Sequence, residues 1–107
     1  MFEQIKKDCP KGWRQFEIFW HMNNADMMTG QPFPSFVGWC LLFFDSVGIH
    51  IEIYLIYGGK KISFGYLIDQ YRGCGKYNHK QFKSRPDAWK AAIPKAFEIY
   101  EKILEEK

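Results

Sequence analysis

Ile49-His50-Ile51-Glu52-Ile53-Tyr54-Leu55 and Ile62-Ser63-Phe64-Gly65-Tyr66-Leu67-Ile68 stand on either side of Gly58-Gly59-Lys60-Lys61, and the fold class depends on how these three pieces are read. In the first, Ile49, Ile51, Ile53 and Leu55 share one side while His50, Glu52 and Tyr54 share the other, the period of a half-buried strand. Ile62, Phe64, Tyr66 and Ile68 repeat the alternation after a glycine turn. The two strands therefore form an antiparallel hairpin. Beyond the glycine-rich stretch from Tyr71 to Gly75, two readings of Tyr77 to Lys83 stay open: the sheet is a hairpin alone, or a three-stranded meander with this segment as a third antiparallel strand.

On the C-terminal side, Ser84-Arg85-Pro86-Asp87 has the form of a helix start, with a capping serine, a proline tolerated in the first turn and an aspartate three residues after the cap. Trp89, Ala92, Ile93, Ala96, Phe97, Tyr100, Ile103 and Leu104 then make one apolar stripe, expected to lie across the hairpin. Glu98 and Lys102 are spaced for an i,i+4 pair. Pro94 has no N–H for the carbonyl of Lys90, and because the stripe keeps its phase past it, a kink in one helix is expected rather than a break.

On the N-terminal side, Phe36-Val37-Gly38-Trp39-Cys40-Leu41-Leu42-Phe43-Phe44 contains no polar side chain. Period does not separate a buried helix from a buried strand in such a run. Ser35 as N-cap and Gly48 as a left-handed C-cap residue favour a helix over 36–47; as a strand the run would be central and buried on both sides. Earlier still, Phe2 to Lys7 and Trp13 to Met22 read as two short helices parted by a turn at Cys9-Pro10-Lys11-Gly12. The aromatic stripe Trp13, Phe16, Phe19 and Trp20 is expected to pack on the sheet. Asn23 to Pro34 reads as a loop that carries Met27 and Met28.

The class is thus α+β in a single domain, 1–107, with 1–34 as a helical N-terminal extension of the same domain. At 107 residues there is room for one core, and the radius of gyration should be roughly 13 Å. Aromatic residues make up 19% of the chain. So many rings exceed what a body of this size is expected to enclose, and a neighbouring molecule is expected to cover the remainder, with Trp39, Phe43, Phe44, Met27 and Met28 as the contact surface.

Three cysteines, an odd number and widely spaced, fit a reducing compartment. Glu3, Lys6, Lys7 and Asp8 interrupt the first turns, where a secretory signal would become apolar. The longest apolar run is about half of the roughly 20 residues a membrane span requires. The expectation is a cytoplasmic protein with no membrane partner.

Catalysis is not expected. His21, His50 and His79 lack metal-ligand spacing, so neither metal nor cofactor is anticipated. Cys74, between Arg72 and Lys76 and near His79, has the surroundings of an activated thiol, but an ordinary loop cysteine is the preferred reading. Charge is more local than the total of +3 implies. From Gln70 to Pro94 the cations Arg72, Lys76, Lys80, Lys83, Arg85 and Lys90 face a single acid, Asp87, and alternate with Tyr71, Tyr77, His79 and Trp89. Basic and stacking residues so mixed would suit nucleic acid, the alternative reading.

The apolar stretch running into Gly48-Ile49-His50-Ile51-Glu52-Ile53, the glycine hairpin, and Phe82-Lys83-Ser84-Arg85-Pro86-Asp87-Ala88-Trp89-Lys90-Ala91-Ala92-Ile93 resemble small uncharacterised proteins of phages and prophages over roughly residues 35–104. The resemblance implies a mobile-element origin and no known chemistry. With it, the function expected is a protein-binding module that inhibits a host or defence protein, or that homodimerises through its aromatic surface.

Overall fold

The computed structural model describes residues 2–23, 33–70 and 76–106. β1 (Ile49–Gly58) and β2 (Lys61–Gln70) pair antiparallel, with Ile51 opposite Ile68, Ile53 opposite Tyr66 and Leu55 opposite Phe64. The alternation in the sequence has therefore become one apolar face. Gly59 has φ +62° and no described non-glycine residue has a positive φ, so the turn is of the Gly-X kind that matches strand twist. β3 (Lys76–Phe82) pairs antiparallel with the other side of β2, giving the order β1-β2-β3, and its pairing shifts register between Phe64 and Tyr66.

The wholly apolar run is a helix. Counting α1 (Phe2–Asp8) and α2 (Pro10–Asn23) before it, α3 spans Phe33–Ser46. It starts before Ser35, which is consequently not its cap. Beyond its last residue, Ser46, the φ of +82° at Gly48 lets the chain leave the helix and enter β1 at once. Val47 N–H donates to the carbonyls of Phe43 and Phe44, and Ser46 Oγ donates to the Phe43 carbonyl at 2.6 Å, so the last turn is closed by its own residues.

The expected turn at residues 9–12 is not a turn. α2 begins at Pro10, and Cys9 N–H to the Ile5 carbonyl and Trp13 N–H to the Cys9 carbonyl, both 2.8 Å, carry helical bonding across the junction with α1. Proline fits a first helical turn because its missing N–H would have had no partner there. Gly12 serves packing rather than turning: a Cβ at this position would come within 3.3 Å of the Tyr100 ring.

α4 (Arg85–Glu105) runs as one helix through Pro94, and the Ser84 side chain accepts from Asp87 N–H at 3.3 Å. Lys95 and Glu98 pair on its exposed side at 3.8 Å. α4 lies over the sheet, and α3 lies over β1. α2 then packs on α3 and α4, so the aromatic stripe meets helices where sheet was expected. Phe16 shows this, with ring centroids at 5.8 Å from Phe36, 5.4 Å from Phe43 and 5.8 Å from Phe97. The order of layers is sheet, α3 with α4, then α1 with α2. The radius of gyration is 14.3 Å and the longest dimension 45 Å. The radius lies above the roughly 13 Å of a typical domain of this length.

Candidate functional site

Coverage of the sheet's apolar face fades toward the turn. Ile49, Ile51, Tyr66 and Ile68 are buried, Ile53 and Phe64 are half-buried, and then Leu55 is 36%, Ile62 59% and Tyr57 77% exposed. Ile62 stands opposite Tyr57 and Phe64 opposite Leu55, so these four side chains form two adjacent cross-strand pairs on one face. α4 starts at Arg85, whose guanidinium lies 5.3 Å from the centre of the Phe64 ring. Past that residue the strands continue without a helical layer among the described residues. The result is a bare apolar end on a face of the sheet that is otherwise covered.

The residues expected to face a partner are placed differently. Phe43 and Phe44 are in the core, not on the surface: both sit within 6.4 Å of Phe97, and Phe43 also packs edge-on to Tyr100 at 5.5 Å. With two helical layers beneath the sheet, α3 can bury both residues between α2 and α4. Trp39 is half-buried, stacked on Trp20 at 5.8 Å and edge-on to Phe19 at 6.4 Å. Trp20 is fully buried and its indole N–H has no acceptor among the described residues, so packing is what holds it. Leu42, 57% exposed, is the side chain of this run that reaches solvent most. Met27 and Met28 lie outside the described residues.

The basic set is divided. Arg72 lies outside the described residues, Lys76 and Lys80 belong to β3, Lys83 precedes α4, and Arg85 and Lys90 are on it. Lys83, Arg85 and Lys90 are exposed, but Arg85 covers Phe64, while Lys90 lines a different feature, a groove of about 460 Å³ between α1 and α4. That groove has Ile5, Cys9 and Pro94 on its walls and Asp8 and Glu98 beside Lys90.

Of the two described thiols, Cys9 lines the groove, and its environment suppresses reaction. Burial first, and then the carboxylates of Glu101, Glu98, Asp8 and Glu105, push its pKa from 9.0 up to about 11. Burial also raises Cys40 well above the ordinary thiol value. Both should resist iodoacetamide at pH 7.5 in the folded protein and label fully in denaturant, as mass spectrometry of the digested chain would report; rapid native labelling would contradict this environment. A raised folded pKa favours the neutral thiol, so its contribution to stability is complete below pH 9 and lost as pH rises toward 11. Cys74 lies outside the described residues.

A second cleft, near the start of β1, brings Asp45, His50 and Asp69 together with Gly48 and Gln70, and His50 Nδ1 is 3.8 Å from Asp45. Among the described residues no three His, Cys, Asp or Glu side chains converge as metal ligands. No described helix is long and apolar enough to cross a membrane.

Two important positions escaped the sequence reading. Tyr57 continues the β1 alternation one step past Leu55, a signal that was available, but its exposure depends on where the helices stop. Glu101 falls within the α4 stripe beside Tyr100; it is 7% exposed and accepts from Gly12 N–H at 2.7 Å and Lys11 N–H at 3.3 Å. An acid on an apolar stripe is the trace such a buried acceptor leaves in a sequence. No family model, curated protein or solved structure matches this chain.

Proposed function

We propose that this protein is a non-enzymatic protein-binding module and that it binds through the turn end of its hairpin, not through the aromatic run in α3. The observation that carries the reading is the bare face of Leu55, Tyr57 and Ile62, continuous with the core face through the half-buried Phe64 yet left outside the helical layer. Apolar side chains that keep the strand period but lack a cover lose the free energy of burial, roughly 25 cal/mol per Å² of apolar surface, until a second molecule supplies one. The resemblance to phage and prophage proteins supports a mobile-element origin, with a host or defence protein, or another copy of the chain, as what is bound.

The test is retention. Wild type and a Tyr57→Ser/Ile62→Ser variant are immobilised and exposed to bacterial lysate containing free copies of the chain. Both positions are exposed, so the variant should keep the wild-type circular dichroism. A protein held by the wild type and lost by the variant is the expected result. Equal retention by the two, or none by either, would remove this surface from consideration.

A further inference from the structure

The two edges of the sheet are protected unequally. β3 carries Lys76 and Lys80 and pairs with a shift in register, both of which discourage another strand from adding to its outer edge. β1 has neither device. Over Ile49–Gly58 its only formally charged residue is Glu52, it contains no proline, its pairing with β2 runs unbroken from Gln70 to Lys61, and no strand among the described residues lies on its other side. Its composition is that of a strong strand former. Hydrogen-bonded and non-bonded pairs alternate along an antiparallel ladder. The pair closing a two-residue turn, Gly58 with Lys61, is of the bonded kind, so the odd-numbered residues of β1 direct N–H and C=O toward the open edge.

We propose that the occupant of this edge is β1 of a second copy, paired antiparallel about a two-fold axis at Ile53 to make a continuous six-stranded sheet. This rests on the protein-binding reading above and names its partner. Charge and coverage favour one register: an axis at Tyr54 would pair as many residues but would set Leu55 opposite the half-buried Ile53 of the second copy instead of the buried Ile51. An axis at Glu52 would oppose the two Glu52 carboxylates, and an axis at Ile51 would leave the turn half of β1 unpaired. With the axis at Ile53, Glu52 stands opposite Tyr54 and His50 opposite Ile56, and no like charges meet. Leu55 and Tyr57 then stand opposite Ile51 and Ile49 of the second copy, the positions that helices cover. Each exposed turn end is brought beside the other copy's helical layer. The contact is isologous and closes at two, whereas the lysines and shifted register of β3 guard the edges that remain.

Light scattering on the size-exclusion peak should give twice 12.7 kDa. Leu55→Pro removes an N–H that points to the open edge, a place where a strand tolerates proline, and should give a monomer with unchanged circular dichroism. Tyr54→Glu sets a carboxylate opposite Glu52 of the second copy, and Tyr54→Lys an ammonium there; both lose the same tyrosine. The glutamate variant should dissociate roughly tenfold more readily than the lysine variant, and adding Glu52→Lys to it should restore pairing. A wild-type monomer overturns self-pairing, while the retention experiment still decides protein binding by its own outcome. A dimer whose two Tyr54 variants dissociate alike, or whose Leu55→Pro form is folded and still dimeric, overturns the β1 edge as the interface.

Discussion

Phe16→Ala is expected to lower the free energy of unfolding by about 3–5 kcal/mol, the range for deleting a buried phenylalanine ring. Phe16 is fully buried and its ring centroid lies 5.4 Å from Trp13, 5.5 Å from Trp20 and 5.4–5.8 Å from Phe36, Phe43 and Phe97. Those partners belong to three helices, so the cavity could close only by moving α2 against both α3 and α4. Relaxation of that kind is limited in a close-packed interior, and the lost contacts are not recovered. For a domain whose total stability is typically about 5–15 kcal/mol, this is a loss of about a fifth or more. Phe16→Leu keeps most of the volume and should cost clearly less. Urea unfolding of both variants, with the slopes unchanged, measures the difference; equal losses would mean that the ring cluster does not depend on Phe16's shape.

Glu101→Ala should cost about 3 kcal/mol. The carboxylate is buried against the first turn of α2, accepts from the amides of Gly12 and Lys11, and meets the positive end of that helix's dipole. Removing it strands amide donors that the helix itself cannot satisfy, and an unsatisfied buried donor costs more than the net worth of a neutral bond. Glu101→Gln keeps an acceptor oxygen and should recover part of the loss. Hydrogen exchange localises the effect: the Gly12 amide should exchange much faster in the alanine variant. Unchanged protection of that amide would show that the bond contributes little to holding α2 on α4.

The two predictions differ in how visible their causes are in the sequence. Phe16 belongs to a stripe with helical spacing, so its place on a packed face was legible, although the stripe's neighbours turned out to be α3 and α4. Glu101 is an acid on the apolar stripe of α4, which marks its position but names no partner. Its role appears only when residue 101 is brought against residue 12, a contact no local pattern encodes. The junction at residues 9–12 differs from the expected turn for the same reason. Cys9-Pro10-Lys11-Gly12 contains the residues of a turn, but Glu101 satisfies the freed amides and Gly12 admits the Tyr100 ring, so helix is the better state there.

The candidate site divides in the same way. The face to which Leu55, Tyr57 and Ile62 belong follows from their alternation, while the run that holds Phe43 and Phe44 has no polar side to orient it. A helix apolar all round must be buried or covered, but the run itself does not say which. The second helical layer decided the matter by enclosing Phe43 and Phe44 and leaving Leu42 in solvent.

What the chain's residues determined unaided are the elements and their faces: a hairpin with a glycine turn, a capped C-terminal helix that outlasts its proline, and an α+β class. These rest on contacts between residues a few positions apart, where backbone sterics and side-chain period act directly. Only the tertiary structure decided which apolar groups stay wet, because that depends on how far each helix reaches along each strand. Ten-residue strands outrun the helices laid across them, and the uncovered length of β1 and β2 is where a partner would act.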